Sequence, residues 1–305
     1  MMRSLLFVPG DSERKMSKST GSGADALILD LEDSVAQSRK AEARDMVAAF
    51  LTSTKRGAGT PRLIVRVNAL DTGLTDADLA AIVQARPDAI LLPKANSGAD
   101  IQDLSTRVAV HEAEAGLKEG HIRIHALMTE TAAGMLAAAS FASKSKRLTA
   151  LTWGAEDLAA DIGASSNKDG NGVYTDVFRL ARSLTILAAA NSRVEAIDTV
   201  FTDFRDSEGL DAECRAAVRD GFSGKMAIHP DQVAVINAAF TPPPADVERA
   251  VRILALFAAA GPEAGVLSLD GKMIDRPHLR QAERIARRAG LDPESAPDLG
   301  KDIEA

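Results

Sequence analysis

One cysteine, one tryptophan and one tyrosine stand among 305 residues. The lone thiol, Cys214, permits neither an internal disulfide nor a cysteine-built zinc site. That suits a reducing cytoplasm and leaves oxygen or histidine as the only metal donors. Nine phenylalanines complete a sparse aromatic set, and 36 basic against 43 acidic residues give a formal charge of -7. Neither a stacking surface nor a basic face follows from such a composition, so no nucleic-acid partner is expected. Long hydrophobic runs are also missing. Stretches such as ILALFAAAG from Ile253 fall well short of the roughly 18 residues that span a bilayer. No membrane partner is expected either. LLFV near the start, with Arg3 the one basic residue ahead of it and PGDSERK behind, lacks the length and cleavage site of a signal peptide and reads as a first strand. The expected location is cytoplasmic.

What is present is globular material, 46% apolar and 26% charged, able to bury a core and unlike disordered or fibrous chains. Short runs rich in leucine or β-branched residues alternate with longer segments of helical period, and the alternation repeats eight times. The predicted strands are SLLFVP from Ser4, ALILDL from Ala26, RLIVRV from Arg62, AILLPK from Ala89, IRIHALM from Ile122, LTALTW from Leu148, AIDTVF from Ala196 and GKMAIHP from Gly224. Helices are predicted over Glu13 to Ser19, Lys40 to Thr54, Asp76 to Ala85, Asp100 to Gly116, Ala132 to Ser143, Tyr174 to Asn191, Leu210 to Asp220 and Asp231 to Ala239. Several strands are unbroken apolar runs, as parallel strands buried on both faces are. Asp76 and Asp100 read as helix N-terminal residues, and Pro61 and Pro87 interrupt helices just before strands. Beyond TPPP at Thr241 lie an alanine-rich helix from Ala245 to Ala260, a GPEAG break, and a last helix from Pro277 to Ala289.

Eight β-then-α units predict an α/β fold, a (β/α)8 TIM barrel over residues 1–243 with residues 244–305 as a C-terminal helical arm. The main rival, a doubly wound sheet, needs a glycine-rich turn after its first strand. GDSERK offers one glycine there, and GSGAD at Gly21 precedes a strand.

A barrel should carry its functional side chains just past the C-terminal ends of its strands. Polar residues do gather there: Asp30, Glu32 and Asp33; Arg66 and Asn68; Lys94; Thr129 and Glu130; Gly154, Glu156 and Asp157; His229. Carboxylates converging on one mouth repel unless a cation joins them. With oxygen donors and no paired histidines the cation expected is Mg2+, which takes one or two protein carboxylates and keeps waters for substrate. Glu130 and Asp157 are the first choice as metal ligands, each at a helix start beside small residues. Either would also serve as a helix N-terminal carboxylate stabilised by the macrodipole. Arg66 offers a planar fork for a substrate carboxylate, or a structural partner for Asp33 or Glu32. His229 reads as a backbone-binding residue or a base, and Trp153 as packing.

Nine motifs follow one another at this spacing: LLFVPGD at Leu5, LDLEDSV at Leu29, VRVN at Val65, LLPK at Leu91, TETAAG at Thr129, WGAEDLAADIG at Trp153, FTDFRDSEGL at Phe201, KMAIHPDQV at Lys225 and GKMIDRPHLRQAERI at Gly271. In these the chain resembles the citrate lyase β-subunit-like and malyl-CoA lyase group of acyl-CoA lyases, over nearly its whole length. The resemblance implies a barrel with Mg2+ at Glu130 and Asp157 and Arg66 on the small oxo acid. It implies CoA contacts at Phe7, Lys18, Ile228 and His229. It further implies a homotrimer or homohexamer in which the arm closes over a neighbouring subunit and carries an acid, here Asp275, into its site. Asp275 would equally cap the helix that begins near Pro277. Two departures stand out: Ser12 and Glu13 replace a usual Arg-Pro, and the loop SSNKDGNGVYTD from Ser165 is unlike other members.

The expected substrates are an acyl-CoA and a small 2-oxo acid. In cleavage of a β-hydroxyacyl-CoA, backbone N–H groups around Gly154, Ala155 and Glu156 would hold the acid's carboxylate. Asp33 or Asp275 would serve as the base. Three alternatives share the scaffold: a malyl-CoA-type thioesterase, a Mg-dependent pyruvate aldolase without CoA, and a subunit of a citrate lyase complex.

Overall fold

A computed structural model describes residues 2–142 and 144–295. In chain order its elements are β1 (Ser4–Pro9), α1 (Glu13–Ser19), β2 (Ala26–Asp30), α2 (Lys40–Ser53), β3 (Arg62–Arg66), α3 (Thr75–Ile82), β4 (Ala89–Leu92), α4 (Gly98–Glu114), β5 (Arg123–Leu127) and α5 (Ala132–Leu136). There follow β6 (Leu148–Thr152), α6 (Ala155–Ile162), α7 (Asp176–Ser192), β7 (Glu195–Asp198), α8 (Ser207–Asp220), β8 (Gly224–Ala227), α9 (Asp231–Phe240), α10 (Pro244–Ala260), β9 (Val266–Leu269), β10 (Lys272–Asp275) and α11 (Arg276–Arg288).

Strands β1 to β8 pair in parallel, each with the next, and β8 returns to β1 through Ser4 against Lys225 and Leu5 against Met226. This is the closed (β/α)8 barrel that the alternation predicts. Strand period two sorts the side chains. Leu5, Ile28, Ile64, Leu91, Leu127, Ala150, Ile197 and Met226 form one buried cluster, which fills the barrel. The alternate residues, such as Leu27, Leu29, Val65, Ile90 and Leu151, are also buried and face the helices. His125 shares the inward face of β5 with Leu127. Burial, with the charge of Arg62 second, pushes its imidazole down to about 4.

The chain divides into two compact units within α9, one of Met2–Asn237 and one beginning at Ala238. In the second, Val251, Leu254 and Phe257 of α10 pack with Leu269, Ile274, Ala282 and Ala286. The last ten residues of the predicted arm, 296–305, lie outside the described residues.

Several elements differ from the sequence expectation. The helix expected from Ala132 stops at Leu136 and continues as a 3-10 turn over Ala138–Phe141, because its alanines offer no apolar stripe to hold a longer helix. Its expected end, Ser143, lies outside the described residues. Helix α4 is capped by Ser97, whose Oγ accepts from the Ala99 N–H, and Asp100 sits in the first turn. Helix α8 starts at Ser207 behind Asp206, whose Oδ1 accepts from the Gly209 N–H at 2.8 Å. Helix α6 has the start expected at Asp157, though no range was predicted for it. Strands β9 and β10 were not predicted. They form an antiparallel hairpin turned by Asp270 and Gly271 at φ 52° and 73°, the two-residue Asp-Gly turn with positive φ at both positions.

Candidate active site

The polar strand-end residues do meet at one mouth, and their pairing is specific. Asp30 ends β2 and Arg66 ends β3, at paired register positions. Arg66 Nε donates to Asp30 Oδ1 and Nη2 to Asp30 Oδ2, both at 2.7 Å. Asp30 also accepts from the N–H groups of Glu32 (2.9 Å) and Ser34 (3.1 Å). Burial alone would raise this carboxyl, but the Arg66 guanidinium and these N–H donors hold it below the ordinary carboxylate range. The structural partner of Arg66 is therefore Asp30, with Asp33 more distant at 3.6 Å. The third nitrogen, Nη1, faces Glu32 Oε2 at 2.8 Å. The Phe7 ring centre lies 4.9 Å from the guanidinium carbon, a cation–π contact that helps hold the fork in place.

Lys94, placed at the mouth from the sequence but given no role there, proves central to the cluster. It follows β4 with φ 50°, a left-handed conformation that costs about 1 kcal/mol for a side chain of this kind. In that conformation its N–H donates to Glu130 Oε2 at 2.6 Å. Its ammonium contacts Glu32, Asp33 at 3.5 Å and Asp157 at 3.2 Å. Burial disfavours the ammonium, but Glu32, Glu130 and Asp157 more than offset it and the group stays charged. The signal was in the sequence, in LLPK at a strand end. Lys94 and Arg66 thus supply part of the counter-charge that a converging carboxylate cluster requires.

Glu130 is fully buried behind β5. Burial first, then the neighbouring charge of Asp157, pushes its carboxyl up to about 8. Gly154 makes this placement possible: a Cβ there would stand 2.7 Å from Glu130 Cγ and 2.8 Å from Oε1. Gly154 is also the N-cap of α6, and it has no side chain to accept from the helix. The first N–H groups of α6, from Ala155 onward, have no partner within their own helix and point toward the mouth as a cradle for an anion. Trp153 is buried, its Nε1 donating to Asp198 Oδ1 at 2.7 Å, and it packs as expected.

Among the described residues no three His, Cys, Asp or Glu side chains gather as a metal cage. Two adjacent oxygen donors, one buried and short of counter-charge, fit a hard ion that completes its sphere with water and substrate, and not a three-ligand zinc site.

The other predicted residues are more dispersed. Asp33 is half-exposed at the rim. Lys18 is exposed in the last turn of α1 and makes no ion pair with the cluster. Ile228 is exposed after β8, and the His229 ring stacks on Phe204 with centroids 4.7 Å apart. The N–H groups of Ile228 and His229 both donate to Gln232 Oε1, and the His229 imidazole Nδ1 accepts from the Asp231 N–H at 3.3 Å, so the side chain does bond backbone. Asp275, in the second compact unit, caps α11: its carboxylate accepts from the His278 N–H while the imidazole Nδ1 takes the Asp275 N–H.

A closed parallel barrel with a buried glutamate, an aspartate and an arginine fork at the C-terminal mouth of its strands defines an α/β-barrel protein with a charged carboxylate cluster at that mouth. The family is equally definite: residues 3–230 match the HpcH/HpaI aldolase/citrate lyase model, and the chain belongs to that family. It is 38% identical over 288 residues to a (3S)-malyl-CoA thioesterase of Cereibacter sphaeroides, covering 94% of each chain. It is 36% identical over 298 residues to the mitochondrial citramalyl-CoA lyase of Rattus norvegicus, covering 94% of this chain and 86% of that one. Among solved structures, CitE of Mycobacterium tuberculosis in complex with magnesium, acetoacetate and coenzyme A aligns with a TM-score of 0.72 and 34% identity over 95% of this chain and 98% of that one.

Proposed function

We propose that this protein is a Mg2+-dependent acyl-CoA lyase that cleaves, or forms, a β-hydroxyacyl-CoA such as malyl-CoA, giving an acyl-CoA and a small 2-oxo acid. The observation that carries the reading is the Glu130–Asp157 pair beside Arg66 and the open start of α6. Glu130 and Asp157 would hold the ion, which when bound supplies a Lewis acid and a template for the oxo acid. CitE of Mycobacterium tuberculosis, solved with magnesium and coenzyme A, supports both ligands.

Cleavage moves the β-hydroxyl proton to a base as the C–O bond becomes a carbonyl. The Cα–Cβ electron pair passes to the thioester as an enolate, which is then protonated at carbon. Asp33, half-exposed at the rim, or Asp275 on the arm of a neighbouring subunit serves as the base. Arg66, fixed by Asp30 through two of its nitrogens, holds its positive charge beside the oxygen whose charge changes. The N–H groups of Ala155 and Glu156 hold the acid's carboxylate. Phe7, Lys18, Ile228 and His229 remain the proposed CoA contacts, and a homotrimer or homohexamer the proposed assembly.

A second reading, hydrolysis of the same thioester with Asp275 assisting water, is favoured by the likeness to (3S)-malyl-CoA thioesterases. Incubation with malyl-CoA, with Mg2+ and again with EDTA, separates the two by mass spectrometry of the products. Acetyl-CoA and glyoxylate, lost with EDTA, are expected. Free CoA and malate would establish the hydrolase, and no turnover of any CoA thioester would remove both readings.

A further inference from the structure

The unusual loop between α6 and α7 is tied to the acid-binding turn at residues 153–157 from two sides. Asn167 Nδ2 donates to Glu156 Oε1 at 2.8 Å. The Tyr174 ring meets the Trp153 ring edge-on, with centroids 5.1 Å apart. Between these two contacts the loop closes on itself, through an antiparallel bridge of Lys168 with Tyr174 and a Thr175 N–H bond to the Asn167 carbonyl at 3.0 Å.

Lys168 fastens this loop to the barrel wall. Its Nζ lies 3.0 Å from Glu213 Oε2 on α8, 4.5 Å from the centre of the Tyr174 ring and 5.0 Å from that of Phe201. The other Glu213 oxygen accepts from Lys225 Nζ at 2.7 Å, and the same ammonium reaches Asp198 Oδ2 at 2.9 Å. Asp198 in turn holds the Trp153 indole. Lys225 is wholly buried and divides one positive charge between Asp198 and Glu213, so Lys168 also brings this carboxylate pair its second counter-charge. Beyond that charge, Lys168 adds a fixed place for the loop, with an ammonium between two ring faces that a neutral side chain would not reproduce.

Resting on the lyase reading above, we infer that Lys168 is a positioning residue for the oxo acid. By anchoring the loop it lets Asn167 hold the Glu156 carboxylate in one orientation, so that this negative charge does not compete for the N–H groups at the start of α6. The small acid, and not the acyl-CoA, is the substrate whose binding depends on it.

The test is steady-state condensation of acetyl-CoA with glyoxylate or pyruvate in Mg2+ by the full-length protein, in Lys168→Met, Lys168→Arg and Asn167→Ala. Lys168→Met and Asn167→Ala should each raise KM for the oxo acid about tenfold, leaving KM for acetyl-CoA and kcat within about twofold. Lys168→Arg should restore the wild-type KM. Limited proteolysis should cut the 165–175 loop faster in Lys168→Met than in wild type, and at the wild-type rate in Lys168→Arg. Unchanged oxo-acid KM in both Lys168→Met and Asn167→Ala would overturn the inference, as would an equal fall in all parameters with loss of folded protein. A wild-type enzyme that neither condenses nor binds glyoxylate or pyruvate with Mg2+ in calorimetry would instead overturn the lyase reading, and the inference with it.

Discussion

At the scale of single residues, the site depends on one side chain that is missing and one that forks. Gly154 leaves the space that Glu130 fills, so Gly154→Ala should displace the carboxylate and weaken Mg2+ binding at least about tenfold in isothermal titration calorimetry, while circular dichroism stays unchanged. Glu130→Gln removes the negative charge that a hard ion needs and should abolish the binding isotherm. Arg66→Lys keeps the charge but loses the two-point grip on Asp30 that places it, and turnover should fall about a hundredfold. These three positions were legible as strand-end residues because a barrel gathers such residues at one mouth. Their internal pairing was not. Whether Arg66 bonds Asp30, Glu32 or Asp33 depends on strand register and loop path, and three carboxylates within four positions look alike in a sequence. The role of Lys94 was hidden for a related reason: it requires a left-handed residue two positions past a strand, which side-chain pattern does not announce.

Secondary-structure elements carry two further tests. On β5, His125 is neutral in the fold, its pKa pushed down to about 4 from an ordinary 6.5. Protonation below pH 6.5 therefore favours the unfolded chain, and the stability present above that pH is lost as pH falls toward 4. The difference amounts to about 3 kcal/mol. Urea unfolding at pH 7 and pH 4.5 should show His125→Gln losing less stability between the two than wild type does. On α11, Asp275 is a cap, and the lyase reading makes it an acid as well. Asparagine preserves capping whereas alanine does not. Asp275→Asn should therefore keep the wild-type Tm and lose turnover if the carboxylate does chemistry, and Asp275→Ala should lose both. Strands with unbroken apolar runs were readable because burial on both faces leaves no other pattern. The helix from Ala132 was over-read, since alanine has high helix propensity and little to bury. Helix α6 was legible at its start, at Asp157, but not in its extent.

For the whole molecule, the count of eight alternating units gave the barrel, because a sheet that closes on itself leaves no unpaired edge to cover. Among the described residues no helix is long and apolar enough to cross a membrane. Two global measurements bear on the proposed function. Mg2+ that binds only the folded state should raise the Tm, by about 2.7 kcal/mol of stability at a hundredfold excess over its dissociation constant, and EDTA should reverse the shift. Mass photometry should find three or six copies, and a monomer would leave Asp275 without a neighbour's site to enter.

Asp275 is the last residue of β10, paired with Val266, and at the same time the cap of α11. A carboxylate set from both ends behaves like the mark on a vernier: its setting is read by counting residues from the Asp270–Gly271 turn. One glycine inserted in that turn would shift the tally by one, and strand period two would then reverse the faces of β10. A loop would absorb such an insertion; here the ruler itself would be misprinted, and turnover should disappear although every side chain named above was still in the chain.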